Sequence, residues 1–513
     1  LSDKARVEWN NIPLLIRIVR NFFIVHKSGV QIMEWKPTKA AGIAVYKQIA
    51  NYIEGRIMNG EFPSGSWLPS ERLLAEELNV NRSTIISAYD ELHAAGLVKR
   101  VKGIGTIVNT DIWADVAKRL PNWEQYVKSG FFQLNNPINR QIYSVTQSET
   151  DIINLAVGEL SRDLLPVQLL QDVHRSMEIS SYLGYEHIQG NVKLRETLAA
   201  HLQSHRNIDS TASSILITSG AQQALHLIIQ SLLSPGDAVV IEDPSYAYSL
   251  PIFQSAGLRT FLLPVSEDGI DPEEIISLYK KHRIKMIFLN PNFQNPTGTS
   301  LSEEKRLKII DISTKYGIPI VEDDPYSLTD FSDRKVQTLK SMDRDGTVIY
   351  ISSLSKIIAS GLRIGWILAP QSVINRLADA KQQIDFGHPN YPQWIAENLL
   401  SSAAFDNHIR KLRKGLRVKR DMMIQAIKLH FGETIEYIIP EGGIHLWCKL
   451  KDHFDEQQLF KEAIRQGMVY APGSTLGSSA NRIRLTFSRA DDDRIASGIG
   501  RLAEAAQKCA KSK

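Results

Sequence analysis

The sequence predicts a multidomain α/β protein, with an N-terminal winged helix-turn-helix followed by a much larger α/β domain built on a mainly parallel sheet. Three observations carry this expectation. A chain of 513 residues is too long to fill one compact core, so several domains are expected. Apolar residues recur at helical spacing between residues 45 and 92, then give way to two short β-rich runs around glycines. From residue 152 onward, strand-like and helix-like runs alternate, the pattern of βαβ units.

Composition narrows the class. A 43% hydrophobic and 23% charged chain is that of an ordinary globular protein. A net charge of +4 neither demands nor excludes nucleic acid, so any basic surface must be local. The two cysteines, Cys448 and Cys509, lack metal-ligand spacing, which argues against a disulfide framework or a structural zinc and fits a reducing cytoplasm. The most apolar stretch, from Ile12, is broken by Arg17, Arg20, His26 and Lys27 and has no small-residue cleavage site. Neither a membrane span nor a secretory signal is therefore expected. Residues 1–36 read as an N-terminal extension, with Met33 as the natural start and residues 1–32 without a fold of their own.

Residues 37–109 form the first module. Val45, Ile49, Ile53 and Ile57 make one apolar helix face, which Gly60 ends. Ser70 is a candidate N-cap for a second helix, whose Leu74 and Leu78 share a face, and "NVN" turns the chain into a third. There Ile85, Ala88, Tyr89 and Leu92 form the apolar stripe, while Arg82, Ser83, Thr84 and Ser87 lie off it near the N-terminal end. Hydrogen-bonding side chains at that end are what a major-groove reader needs. "LVKRVKGIGTIV" adds two short strands, with Gly103 and Gly105 at their turn.

Residues 37–108 hold eight Lys/Arg and seven Asp/Glu, a net of +1, so the distribution of charge matters more than its total. Arg72, Arg82, Lys99, Arg100 and Lys102 gather at the two helix starts and the wing, where phosphates would lie. The run "LPSERLLAEELNVNRSTIISAYDELHAAGLVKRVKGIGTIV" closely resembles the winged-helix domain of the GntR family of bacterial transcription regulators. That resemblance implies DNA contacts from Arg72, Asn81, Arg82, Ser83 and Thr84, with Lys102 and Gly103 from the wing.

Residues 110–150 show weak periodicity and read as a linker, with a short helix expected in "DIWADVAKRL". Forty extended residues reach on the order of 130 Å, so this stretch leaves the first module's position open.

In the second domain, residues 151–513, most of the β-rich runs end in polar clusters. Ligands of open α/β sheets bind beyond the carboxyl ends of the strands, so these clusters are expected to converge. Gly220, Ala221 and Gln222 open a helix, where free N–H groups and the dipole favour a phosphate. Tyr246 offers a ring to stack on a flat heterocycle. Asn295 and Tyr326 offer hydrogen bonds to a phenolic oxygen, and Asp323 can keep a ring nitrogen protonated. Lys356 is the nucleophile candidate, an amine able to form a Schiff base with an aldehyde. Ser353, Ser355 and Arg363 add donors and charge for the phosphate. A planar, phosphorylated pyridine aldehyde uses all of these groups, and pyridoxal 5′-phosphate (PLP) is that ligand.

The order "SGAQQ", "DPSY", "NPTG", "EDDPY", "SLSK" and "GLRIG" resembles the class I aminotransferases of PLP-dependent transferase fold type I, over residues 152 to about 505. The resemblance implies a large α/β domain, a smaller C-terminal α+β domain, and catalytic roles for Lys356, Asp323 and Tyr326. It implies a substrate-carboxylate role for Arg484 of "NRIRLTFS", which bidentate guanidinium geometry suits. It also implies a homodimer in which Tyr185 of "YLGYEHIQG" serves the partner's phosphate site. "NLAVGELSRDLLP" and "EHIQG" depart from the family pattern on the substrate side.

Two further signals read as structural. His201 and His205 stand at i and i+4 without an acidic partner or third ligand, so no metal site is expected. Seven basic residues between Arg410 and Arg420 accompany an apolar stripe of Ile409, Leu412, Leu416 and Met423, which reads as an amphipathic helix with a solvated face, the alternative being a supplementary DNA-contacting surface.

A GntR-type winged helix fused to an aminotransferase-like domain resembles the MocR subfamily of bacterial regulators. This implies a cytoplasmic transcription factor, nucleoid-associated when bound to its double-stranded operator, whose second domain senses PLP or an amino compound. The alternative is an active PLP-dependent aminotransferase with an accessory DNA-binding domain.

Overall fold

The computed structural model describes residues 35–38, 42–110, 127, 130–148, 151–176, 183–332, 336–477 and 481–511. The expectations for residues 1–32 and for "DIWADVAKRL" lie outside them. The chain divides into two units, Leu1–Phe131 and Phe132–Lys513.

In the first unit, α1 (Val45–Met58), α2 (Glu71–Leu78) and α3 (Arg82–Ala94) pack around Ile49, Ile53, Ile57, Leu74, Leu78, Ile85, Ala88, Tyr89 and Leu92. Ser70 caps α2 by accepting from the Leu73 N–H, and Asn79 ends it in the left-handed conformation at φ 54°. The buried Tyr89 hydroxyl donates to the Pro69 carbonyl at 2.7 Å, tying α3 to the start of α2. The wing is an antiparallel pair, β1 (Val98–Val101) and β2 (Gly105–Val108), so Gly105 starts a strand while Gly103, at φ 76°, makes the turn.

The second unit opens with α4 (Pro137–Ser148), where the sequence reading expected linker. Ile142 and Val145 are buried in the large core and Ile138 packs against it. Those three residues, at spacings of four and three, form one helix face, a periodicity short enough to be lost among the polar residues around it.

Strands β3 (Ile153–Asn154), β4 (Ile215–Thr218), β5 (Ala238–Asp243), β6 (Arg259–Pro264), β7 (Met286–Leu289), β8 (Ile320–Asp323), β9 (Val348–Ser353) and β10 (Gly365–Leu368) follow. All but β3 form one seven-stranded sheet in the order β4-β10-β9-β8-β7-β5-β6. The pairs β5/β6, β5/β7, β7/β8 and β8/β9 are parallel, and β10 pairs antiparallel with both β4 and β9. Strands β4, β7, β9 and β10 are buried along their whole length, as a sheet covered on both faces requires. One of the covering helices, α5 (Ala221–Leu232), begins directly beyond β4.

The C-terminal part is a smaller α+β layer. Strands β11 (Ile435–Tyr437), β12 (His445–Leu450), β14 (Ala471–Pro472) and β15 (Arg482–Thr486) pair antiparallel in the order β11-β12-β15-β14, while β13 (Met468–Val469) pairs with β3. Helices α6 (Phe405–Phe431) and α7 (Asp492–Lys511) pack beside this layer.

Helix α6 carries the basic run and buries Ile409, Leu412, Leu416 and Met423. Lys419 departs from the expected solvated face. It is 1% exposed, and its ammonium donates to Asp492 at 2.6 Å and to the Ala490 carbonyl at 3.0 Å, with Asp163 at 3.2 Å. His205 pairs with Asp406 at 2.9 Å and stacks on His201. Among the described residues, no helix is long and apolar enough to cross a membrane, and the two cysteines are free and buried.

Replacing Ile53, fully buried at the centre of α1, with Ala is expected to cost about 2–5 kcal/mol of local stability. Hydrogen–deuterium exchange of the full chain should show protection lost in peptides from residues 45–108 and retained in the seven-stranded sheet.

Candidate functional site

Four parallel strands deliver their C-terminal ends to one place. Beyond β5 the chain presents Tyr246, beyond β7 Asn295, at the end of β8 Asp323 and then Tyr326, and beyond β9 Ser355 and Lys356. These groups line a single cavity of about 410 Å³ together with Gly220, Ala221, Gln222, Ser353, Arg363 and Arg484. Every group expected within the site of one subunit is therefore present in one place. Tyr185 is not among them; it is 80% exposed and lies against Phe386, 6.0 Å between ring centroids.

One end of the cavity suits an anion. Gly220 precedes α5 at φ 86°, a conformation that L side chains rarely adopt, and leaves the first N–H groups of that helix open. An added Cβ on Gly220 would lie 2.9 Å from the Arg363 guanidinium, and one on Gly365 would lie 2.7 Å from Gly220 Cα. Two glycines thus allow the Arg363 side chain, β10 and the start of α5 to come together. Arg363 donates to the Ser219 carbonyl at 2.6 Å, which holds its positive charge beside the helix N-terminus. Ser353 and Ser355 add hydroxyls from the end of β9.

The floor is acidic and only partly satisfied. Asp323 Oδ1 has no hydrogen-bond partner among the described residues. Burial, with the neighbouring Asp324 carboxylate, pushes the Asp323 carboxyl up to about 7, and Lys356 opposes this. Asp324 itself faces away, accepting from the Tyr350 hydroxyl at 2.8 Å and lying 3.7 Å from Arg206. Asp323 is left as the carboxylate available to a cationic ring nitrogen.

Lys356 ends a short 3-10 turn after β9, and its amine donates to the Gly158 carbonyl. Burial and the Arg484 charge bring its pKa down to about 8, although Glu159 and Asp323 oppose them. About a tenth of it is therefore the neutral, nucleophilic amine at pH 7, far more than for an ordinary lysine.

Arg484, on β15, is 8% exposed. It donates to Asn295 Oδ1 at 2.9 Å and to the Ala156 carbonyl at 2.6 Å, while its Nε has no partner among the described residues. Asn295 Nδ2 donates to the Tyr326 hydroxyl at 3.4 Å.

Other lining groups were not singled out from the sequence. His445 of β12 reaches the Tyr326 hydroxyl at 3.2 Å, and Asn135, Asn139, Arg140 and Tyr143 come from α4 and the chain before it. A lone histidine in an apolar strand carries no local signal of a site. The α4 residues lie more than 200 positions from Lys356, in a stretch without an obvious pattern.

In the first unit, Asn81 is the N-cap of α3 and makes no side-chain cap bond, and Arg82, Ser83 and Thr84 fill the first turn. Asn81, Arg82 and Ser83 are exposed. Arg82 pairs with Glu71 at 2.9 Å, Arg72 with Glu76 at 3.1 Å and Arg100 with Asp90 at 2.8 Å. Such exposed pairs are worth little and can exchange partners for phosphates. Lys102 and Gly103 stand exposed at the wing tip.

Comparison with known proteins agrees with both halves. The family "Aminotransferase class I and II" matches residues 150–502, and "Bacterial regulatory proteins, gntR family" matches residues 45–108. The chain is 36% identical to the uncharacterized HTH-type transcriptional regulator YisV of Bacillus subtilis, over 93% of this chain and 99% of that one. It is 32% identical to the HTH-type transcriptional regulator NorG of Staphylococcus aureus, over 83% and 96%. Among solved structures it is similar to Pyrococcus horikoshii kynurenine aminotransferase, determined in complex with PMP, at 30% identity and a TM-score of 0.69 over 78% of this chain and 99% of that one. It is also similar to LysN, the alpha-aminoadipate aminotransferase of Thermus thermophilus, complexed with N-(5'-phosphopyridoxyl)-L-leucine, at 26% identity and a TM-score of 0.70 over 77% and 100%. A winged helix joined to a sheet of this topology places the chain in the GntR family of HTH-type transcriptional regulators, in the MocR-like group whose second domain is a class I/II aminotransferase fold.

Proposed function

We propose that this transcriptional regulator binds PLP in the cavity beyond β5, β7, β8 and β9, and that PLP, or an amino compound meeting it there, sets the affinity of the winged helix for its operator. The convergence of Lys356, Asp323, Asn295, Tyr326 and the α5 N-terminus on one cavity carries the proposal. The residues suit the group. Asp323 Oδ1 lacks a partner among the described residues, and glycines at 220 and 365 keep side chains out of the anion end.

When bound, PLP supplies an aldehyde for covalent attachment and a pyridine ring that accepts electrons once protonated. Lys356 Nζ is the attachment point. Asp323 pairs with the ring nitrogen, and that cation would draw the Asp323 pKa down from its raised value. The first N–H groups of α5, Arg363, Ser353 and Ser355 hold the phosphate, Tyr246 covers the ring, and Asn295 and Tyr326 meet the phenolic oxygen. Arg484, whose Nε has no partner among the described residues, is the carboxylate site for an amino-acid effector. The exposure of Tyr185 supports a homodimer in which each Tyr185 serves the other subunit's site. Asn81, Arg82, Ser83 and Thr84 read the groove from the start of α3, Arg72 positions the backbone from α2, and Lys102 and Gly103 meet it from the wing.

Sensing requires only that the ligand favour one arrangement of the protein over another. The intact set of groups, Arg484 included, also favours a second reading, a turning-over aminotransferase. Multiple-turnover assays with common amino acids separate the two.

Competitive acylation read by mass spectrometry should show Lys356 labelling rise through about pH 8, because its amine is half-deprotonated there, while exposed lysines respond only at higher pH. Purified protein supplied with PLP should show visible absorbance that borohydride abolishes, and Lys356→Ala should lack it. Arg82→Ala should weaken binding to the flanking intergenic DNA by roughly tenfold in a fluorescence-anisotropy titration. PLP should change the affinity of the unsubstituted protein by about fivefold or more and leave that of Lys356→Ala unchanged.

A further inference from the structure

The cavity wall contains a closed hydrogen-bonded circuit. The Tyr326 hydroxyl meets His445 Nε2 at 3.2 Å, and His445 Nδ1 meets Thr486 Oγ1 at 3.0 Å. Thr486 Oγ1 lies 3.4 Å from the Ala156 carbonyl, to which Arg484 donates at 2.6 Å. Arg484 also donates to Asn295 Oδ1 at 2.9 Å, and Asn295 Nδ2 returns to the Tyr326 hydroxyl at 3.4 Å. Tyr326, His445, Thr486, Arg484 and Asn295 are all buried.

Counting hydrogens leaves little freedom. Guanidinium nitrogens only donate, so Asn295 must turn its oxygen to Arg484 and its N–H toward Tyr326. Burial, with Arg484 and Lys356 nearby, holds His445 well below the ordinary imidazole range, so the ring is neutral and carries one N–H. Arg484 from β15 and Lys356 from the turn after β9 supply the charges that lower its pKa, and Tyr326 from the turn after β8 is its hydrogen-bonded ionisable neighbour.

Two proton arrangements satisfy the circuit. In the first, Thr486 donates to Ala156, His445 donates from Nδ1 to Thr486, and Tyr326 must spend its only hydrogen on His445 Nε2. In the second, Thr486 donates to His445 Nδ1, the ring donates from Nε2 to Tyr326, and the tyrosine hydrogen is free to enter the cavity. The second gives up only the 3.4 Å Thr486 contact, and Ala156 keeps Arg484 as its donor.

We infer that His445 is a positioning residue that, by carrying its proton on Nε2, turns the Tyr326 hydroxyl hydrogen toward an anionic oxygen of the ligand in the cavity. The inference rests on the PLP reading, in which that oxygen is the phenolic oxygen of the ring. His445 acts through Tyr326, as an N–H donor that makes the tyrosine a stronger donor in turn.

The test is the pH midpoint of the visible band of the full-length protein loaded with PLP, compared for His445→Phe, Tyr326→Phe and the double variant. Less support for the anionic oxygen should raise the midpoint of His445→Phe by about one pH unit toward that of Tyr326→Phe. In the Tyr326→Phe background the same change should add nothing. His445→Gln, which keeps an N–H donor, should stay near the unsubstituted value and provides the folded comparison should the Phe variant lose its thermal transition. A midpoint indifferent to His445, or one that His445→Phe still moves when Tyr326 is absent, overturns the inference alone. The absence of any band from the unsubstituted protein overturns the PLP reading and the inference with it.

Discussion

The parallel register of β5, β7, β8 and β9 is the constraint on which the second unit depends. Leu289 of β7 pairs with Glu322 of β8, and Asp323 of β8 with Ile351 of β9, so the strands leave the sheet at nearly the same level. Side chains separated by more than 100 residues along the chain are thereby brought to one cavity. Because hydrogen bonds between strands fix the register and a one-residue slip would reverse every side chain, the positions of Asp323 and Lys356 are over-determined by the sheet's own core.

Burial then gives these groups their chemistry. Taken out of water, a carboxylate becomes harder to ionise and an ammonium easier to neutralise, so Asp323 and Lys356 both move toward neutral pH from opposite sides. Arg484 deepens the effect on Lys356, and the carboxylates Asp323 and Glu159 limit it. The same low-polarity setting makes the direction of each hydrogen bond around Tyr326 and His445 consequential, since an unpaired buried group is costly there.

The winged helix follows a different logic. Its core is apolar and ordinary, and its function lies in what that core leaves outside. Asn81, Arg82 and Ser83 begin α3 in solvent, and the basic groups nearby are held by exposed ion pairs of little individual worth. A surface of this kind is kept in place by weak internal pairs that a phosphate can replace.

Local sequence determined a great deal here. The period of Ile49, Ile53 and Ile57, the Ser70 cap, the glycine of the wing and the polar ends of the β-rich runs all express short-range physics, legible because neighbouring residues alone satisfy it. Their family resemblance extended that to Arg484 and to the layout of both domains. Tertiary structure alone decided which distant groups complete the site. His445 looks like any core histidine until β12 sets it beside Tyr326, α4 looks like linker until Ile142 and Val145 find the core, and Lys419 looks solvated until Asp163 and Asp492 close over it. In each case the partner is remote along the chain, and a contact made by packing leaves no periodic or local mark on the residues that make it.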